Sequence, residues 1–253
     1  EGAFDDAIRH SVTKMSSLHF TSCEEYRHRV IQMGEQPSRV FDVGSLGVEN
    51  IKAVPLMTKD ELEASLDFKI DTQTILVTYH PVTLGGDPAK DIREFLDALD
   101  QFKDLKVIFT MPNSDTGRDA IALAVENYVE KHSNSAKAYT SLGLRRYLST
   151  LQFVKAAVGN SSSGIIEVPS FGIPTLNIGD RQKGRLASKS VVNCGTSKDE
   201  VIVGLKLCLS EEMQKAAKTY ENPYAKPDTA NLIYQELKNV ELAGLNLKTF
   251  YDL

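Results

Sequence analysis

Cysteine is scarce: Cys23, Cys194 and Cys208 are odd in number and far apart. That pattern suits neither a disulfide framework nor a zinc site, so the three read as buried thiols. No apolar run approaches the ~20 residues of a bilayer crossing, and the start lacks the charged-then-apolar order of a signal peptide. The expectation is a cytoplasmic protein with no membrane partner. Positive charge is also short, with 29 Lys and Arg against 34 Asp and Glu and a net charge of -5. Without a basic field no nucleic-acid partner is expected, and an anionic ligand needs a local site. Internal repeats and low-complexity tracts are absent as well. What is present is a globular composition, 253 residues with 42% hydrophobic and 25% charged, enough for one large core or two smaller domains.

The first residue is Glu1 rather than methionine, and helical spacing begins almost at once, which reads as the interior of a longer protein. Phe4, Ile8, Val12 and Met15 fall at helical intervals, with Asp5 and Asp6 in the first turn, where the helix dipole favours acids. Leu18 to Thr21 reads as a strand, Cys23 to Met33 as a helix stopped by Gly34, and Arg39 to Val43 as a strand leading into Gly44-Ser45. Two helix and strand pairs in so short a span suggest half of a parallel α/β domain. Residues 48–68, with Pro55 and a charged helix, read as a linker.

From Ile75-Leu76-Val77 a second α/β alternation runs to about residue 207. Its expected strands are 74–79, 106–110, 136–139, 156–159, 175–178 and 190–192, with helices 91–101, 118–131, 144–154, 165–171 and 198–209 between them. This predicts a doubly wound domain, in which ligands sit at the carboxyl ends of the strands. The tail 227–247 reads as an amphipathic helix on Leu232, Leu237 and Val240.

Chemistry-bearing residues cluster at those strand ends. Gly159-Asn160-Ser161-Ser162-Ser163-Gly164 follows an apolar strand and precedes a helix. Backbone N–H groups and hydroxyls there can face a phosphate, although a serine-capped turn has the same composition. His80-Pro81-Val82-Thr83 ends one strand, and its histidine can donate to a phosphate, move a proton or serve only as a loop bond. Asn113 ends the next strand, where turn residues are also common. Glu167 can accept from a pair of sugar hydroxyls or balance the helix dipole. Arg181, Lys183 and Arg185 suit a phosphate grip or a solvated loop. Asp5, Asp6, Arg9 and His10 form i,i+4 pairs that support a helix or present carboxylates as a general base.

Four blocks taken together carry a resemblance: 2–11 (GAFDDAIRHS), 80–83 (HPVT), 159–167 (GNSSSGIIE) and 177–185 (NIGDRQKGR). The chain resembles, over essentially its whole length, the hydrolysing UDP-N-acetylglucosamine 2-epimerases of sialic acid synthesis and their legionaminic-type branch. The non-hydrolysing epimerases carry Asp-Ser-Gly-Gly where this chain has Asn-Ser-Ser-Ser-Gly. The resemblance implies an α/β fold of two Rossmann-like domains in the glycosyltransferase B architecture, with the active site in the interdomain cleft. Most of the first domain, with a further catalytic acid, is expected upstream of Glu1. It divides the chain into residues 1–50, the end of the first domain; 51–68, a linker with a helix; 69–222, the UDP-binding domain; and 223–253, a helix crossing back toward the first domain.

The implied reaction converts UDP-N-acetylglucosamine to N-acetylmannosamine and UDP through a 2-acetamidoglucal. The same reaction on a UDP-diacetamido-trideoxy sugar is an alternative. By motif position Asp5, with Asp6 beside it, is the acid/base member of this chain, and His80 with the Ser161 and Ser162 loop holds the diphosphate, with Arg181 near it. Glu167 takes the ribose hydroxyls, Asn113 and Ser141 to Leu144 line the nucleotide pocket, and Gly44 with Ser45 lies on the interdomain rim. The resemblance implies no metal, no cofactor and a homo-oligomer, dimer or tetramer. A glycosyltransferase of the same architecture and a non-catalytic nucleotide-sugar sensor are the competing readings.

Overall fold

The computed structural model describes residues 4–82, 87–113 and 117–253, the side chains of Phe4 and Asp5 excepted. In chain order the elements are α1 (Phe4–Met15), β1 (His19–Thr21), α2 (Glu24–Gln32), β2 (Val40–Asp42) and α3 (Leu46–Ala53). Next come α4 (Lys59–Leu66), β3 (Thr74–Thr78), α5 (Pro88–Leu99), β4 (Lys106–Thr110), α6 (Arg118–Lys131) and β5 (Ala136–Tyr139). The remainder is α7 (Gly143–Leu151), β6 (Ala156–Gly159), α8 (Ser163–Ile166), β7 (Thr175–Ile178), β8 (Val191–Cys194), α9 (Lys198–Cys208), α10 (Glu211–Ala217) and α11 (Thr229–Asn239). These form two compact units, residues 1–53 with 223–253, and residues 54–222.

In the first unit β1 and β2 pair in parallel, with Phe20 opposite Phe41. The tail is tied to the strand ends. Lys226 pairs with the buried Asp42 at 2.6 Å, Thr229 Oγ1 donates to the Val43 carbonyl at 2.8 Å, and Ser45 N–H donates to the Tyr224 carbonyl. Gly44 sits under this crossing with φ +85°, and a Cβ there would press on Lys226, so its glycine has a packing reason of its own.

A buried carboxylate organises the other end of this unit. Glu35, 2% exposed, accepts from Lys14 at 2.6 Å, is bonded to His19 Nε2 at 2.9 Å and pairs with Lys248 at 2.7 Å. Lys248 also donates to the Lys14 and Ser16 carbonyls at the end of α1. Burial by itself would raise the Glu35 carboxyl, but the hydrogen bonds from Lys14, Lys248 and His19 outweigh it and hold the pKa at about 2. Burial pushes the His19 ring below its ordinary value, against the pull of Glu35.

The second unit is a six-stranded parallel sheet in the order β5-β4-β3-β6-β7-β8. Renumbered within the unit this is 3-2-1-4-5-6, the order that places a ligand crevice where the winding reverses, between β3 and β6. Alternate residues of the strands face opposite sides. Ile75, Val77, Phe109 and Val158 pack in one core with Ile92, Phe95, Ile121 and Val201. Leu76, Ile108 and Ala157 are buried on the other side. A sheet covered on both faces explains why its strands read as unbroken apolar runs.

Three sequence expectations change. Residues 54–68 are part of the second unit rather than a linker: α4 is closed by a Thr58–Glu61 capping box and buries Leu62 and Leu66 completely, one helical turn apart. The expected tail helix 227–247 stops at Asn239. Beyond it the chain runs irregularly back over the first unit, where Arg39 holds the carbonyls of Leu245 and Leu247. Ile8, Val12 and Met15, spaced for a buried face, are exposed. Of the cysteines, Cys23 and Cys208 are buried as expected and Cys194 is half-buried.

Glu35 gives the first unit a defined acid response. Its carboxyl is depressed from an ordinary 4.5 to about 2, so its stabilisation is complete above the unfolded value and lost as the pH falls through about 2. Glu35→Gln is expected to be clearly less stable than the wild type at neutral pH. The gap should close progressively below about pH 4.5 in urea unfolding followed by circular dichroism. A gap independent of pH would contradict this account.

Candidate active site

The carboxyl ends of β3 and β6 lie side by side, with Thr78 opposite Gly159. At that junction Gly159 takes φ +130°, and a Cβ there would overlap the Thr78 carbonyl oxygen. Only glycine lets the chain leave β6 so close to its neighbour. Asn160 follows, 1% exposed, and its side-chain amide works as a double clamp. Its Oδ1 accepts from His80 N–H at 2.7 Å and its Nδ2 donates to the His80 carbonyl at 2.8 Å. Its own carbonyl accepts from Arg181 Nη1 at 3.1 Å and from Gln182 Nε2 at 2.8 Å. One residue therefore joins the loops after β3, β6 and β7.

His80 is oriented from a second side. Its Nδ1 accepts from Asn113 N–H at 3.2 Å, so the neutral ring carries its proton on Nε2. Beneath these loops the Thr78 and Thr110 hydroxyls share a 2.6 Å bond across β3 and β4. The structure thus brings together His80, Asn113, Ser161, Ser162 and Arg181, residues the sequence placed on separate strand ends. Thr83, Ser114 and Asp115 lie outside the described residues.

The segment after the glycine loop is shorter than expected. In place of one helix over 165–171 there is a four-residue α8 and a 3₁₀ turn, Val168–Phe171, entered through Pro169. Proline has no N–H to continue the α-helical ladder, and so short a helix contributes little dipole. The Ser161 and Ser162 hydroxyls stand in the same loop cluster as His80 and Arg181, and all four are donors of the kind that bind an anion.

Glu167 ends α8 and is half-buried. Burial pushes its carboxyl up, while the nearby Ser163 hydroxyl and the positive charge of Arg185 pull it down. Ser163 in turn receives the Tyr147 hydroxyl at 2.6 Å. Leu144 opens α7 and is exposed, with no bond tying it to these loops among the described residues. Asp6 and Gly44 belong to the first unit; Asp6 lies on α1 and is partly exposed, and Asp5 is on the same helix, its side chain outside those described.

Sequence reasoning missed the roles of Asn160, Gln182 and Tyr147; Ser163, expected with Ser161 and Ser162 to offer a hydroxyl to a phosphate, receives the Tyr147 hydroxyl. Asn160 stands inside the loop motif, where an asparagine between a strand and three serines signals a turn rather than a clamp. Gln182, 95% buried with its Oε1 unpartnered among the described residues, sits in a charged stretch that reads as solvated. Nothing in the spacing of α7 marks Tyr147.

Residues 1–238 match the family model described as UDP-N-acetylglucosamine 2-epimerase. The chain is 42% identical over 255 residues to the GDP/UDP-N,N'-diacetylbacillosamine 2-epimerase (hydrolyzing) of Campylobacter jejuni, covering 100% of this chain and 66% of that protein. It is 38% identical over 253 residues to the polysialic acid biosynthesis protein P7 of Escherichia coli, covering 99% of this chain and 64% of that one. The chain therefore spans about two thirds of the length of the curated relatives it matches. Among solved structures, the UDP-GlcNAc 2-epimerase from Neisseria meningitidis bound to UDP-GlcNAc superposes with a TM-score of 0.74 at 18% identity, over 90% of this chain and 63% of that one. At that identity the likeness establishes a common fold.

The Asn160 clamp has a measurable weight. Asn160→Ala strips both side-chain bonds from the His80 backbone in a buried setting and should cost about 2–4 kcal/mol in urea unfolding. Asn160→Asp should be similarly damaging, since a carboxylate can accept from the His80 N–H but repels its carbonyl. A loss below about 0.5 kcal/mol in both variants, the size of an ordinary surface substitution, would show that the loops are held by other contacts.

Proposed function

Because this chain belongs to the UDP-N-acetylglucosamine 2-epimerase family, we propose that its protein is a hydrolysing 2-epimerase acting on a UDP-linked 2-acetamido sugar. The observation that carries the proposal is the set of donors gathered by Asn160 at the β3–β6 crevice: His80, the serine loop and Arg181. A pyrophosphate leaving group needs such fixed donors, which act without reorganising as charge develops. With Nδ1 occupied by Asn113, His80 presents Nε2–H to a phosphate oxygen. Ser161 and Ser162 add hydroxyls and Arg181 adds charge. Glu167 accepts from the ribose hydroxyls, with Asn113 and Leu144 lining the nucleotide.

In the proposed reaction a base takes the C2 proton and the C1–O bond breaks toward UDP, leaving a 2-acetamidoglucal. Water then adds its oxygen to C1 while a proton returns to C2 from the opposite face, giving the 2-epimer as a free sugar. Asp5 and Asp6 are the proposed acid/base members of this chain, aided by residues outside it. Protein donors meet the diphosphate charge, so the proposal invokes no metal or redox cofactor.

Two substrates fit this reading. UDP-N-acetylglucosamine is the first, giving N-acetylmannosamine. The second is UDP-2,4-diacetamido-2,4,6-trideoxyglucose, favoured by the 42% identity to a relative named for the diacetylbacillosamine nucleotide.

A proton NMR time course of the full-length protein in deuterated water tests the reaction. With UDP-N-acetylglucosamine, free N-acetylmannosamine carrying deuterium at C2 is expected. Asp5→Asn should reduce its rate by about 10²-fold or more. If only the diacetamido nucleotide is consumed, the second substrate is the right one. If neither reacts while UDP binds, the protein is a sensor and the proposal is wrong.

A further inference from the structure

α1 carries Asp5 and Asp6, yet no buried apolar face ties it to its unit. Among its described side chains none is buried: Asp6 and Thr13 are partly exposed and the others exposed. Helices in proteins are usually held by an apolar stripe; this one is fastened by polar bonds at its last turn, and two lysines make them. Lys14, on the helix itself, donates to the Met33 carbonyl at 2.8 Å and to Glu35 at 2.6 Å. Lys248, from the irregular tail, donates to the carbonyls of Thr13, Lys14 and Ser16 and pairs with Glu35 at 2.7 Å.

The last carbonyls of a helix have no partner within it and carry the negative end of its dipole, so an ammonium suits them on both counts. The tail that delivers Lys248 is itself seated on the turn after α2. The Phe250 ring lies over Gly34, whose φ is +85° and where a Cβ would overlap the ring. Tyr251 N–H donates to the Gly34 carbonyl at 2.9 Å, and Gln36 Nε2 donates to Thr249 Oγ1 at 3.1 Å. Lys14 also stands over the Phe250 ring, 5.3 Å from its centroid. Lys248 therefore reaches the end of α1 from a fixed base, with the buried Glu35 as a common partner for both lysines.

We propose that Lys248 is a positioning residue for the reaction: by holding the last turn of α1 against Glu35 it sets where the first turn, with Asp5 and Asp6, stands. The inference rests on the reading of those carboxylates as acid/base members under Proposed function. A helix rises ~1.5 Å per residue, so the carboxylate positions lie about 13 Å from Lys14, and a tilt of about 5° at the last turn moves them by about 1 Å. A misplacement of about 1 Å can cost up to about 10²-fold in rate. The donors proposed for the diphosphate and the ribose belong to the second unit. Lys248 therefore acts on turnover and leaves nucleotide affinity alone.

The test uses the full-length protein as wild type, Lys248→Met, Lys14→Met and Thr249→Val. Three quantities are measured: turnover of UDP-N-acetylglucosamine, or of the diacetamido nucleotide where that is the one consumed; UDP affinity by calorimetry; and amide hydrogen exchange. Lys248→Met should lower kcat by about tenfold while UDP affinity stays within about twofold. Exchange across α1 should rise by about tenfold, with β3 to β8 unchanged. Lys14→Met removes the helix's own half of the fastening and should lower kcat by about threefold with the same selectivity; it decides the matter alone if Lys248→Met does not fold. Thr249→Val, which loosens the tail without touching α1, should turn over like the wild type. An unchanged kcat in the lysine variants overturns the inference and leaves the acid/base reading standing. A parallel loss of kcat and UDP affinity, or an equal effect in Thr249→Val, also overturns it, since Lys248 then serves general stability. A wild type without turnover, or full activity in both Asp5→Asn and Asp6→Asn, removes the acid/base reading and the inference together.

Discussion

The side-chain amide of Asn160 makes a single surface out of loops that arise from three strands. A buried amide has one acceptor and two donors, and here it matches the N–H and C=O of His80 as a neighbouring strand would. The same residue offers its backbone carbonyl to Arg181 and Gln182. Because Asn160 is excluded from water, no solvent molecule competes for these bonds, and losing one partner would strand the others. The close approach of β6 to β3 at Gly159 brings the amide within reach of His80.

The strand order decides why this happens where it does. In a parallel sheet wound in both directions, the loops after the two central strands diverge and leave a crevice at their carboxyl ends. β3 and β6 are those strands, and their apolar residues are buried on both faces. The rigid part of the molecule therefore ends where the polar part begins. Histidine, serine and arginine side chains are presented from a base that burial holds still.

A different device serves the first unit, where the parallel sheet has two strands. There a buried Glu35 gathers Lys14, His19 and Lys248, joining α1, β1 and the tail. A buried carboxylate is costly to desolvate and is retained when its partners are complete. Past the end of its helix at Asn239 the tail runs irregularly, and from there Lys248 reaches Glu35 and the carbonyls at the end of α1. Glu167 in the second unit is the contrasting case, a carboxylate half withdrawn from water with a serine and an arginine offsetting the cost.

Much of this was legible in the residues. The strands 106–110, 136–139, 156–159 and 175–178 have the bounds expected of them, because a buried parallel strand is a short apolar run between polar stops. Family membership followed from four motifs whose residues are local in sequence. The linker expected at 51–68 failed because Pro55 and the charges of α4 mask a buried stripe of two leucines. The single helix expected at 165–171 failed at Pro169. By itself the sequence determined the alternation of helix and strand and the set of polar residues at the strand ends, since both follow from local periodicity and turn chemistry. Only the tertiary structure decided that Asn160 clamps His80, that Tyr147 is bonded to Ser163, and that Glu35 is encircled by Lys14, His19 and Lys248. Those partners lie far apart in the chain, and a hydrogen bond between distant residues leaves no periodic trace in the sequence that makes it.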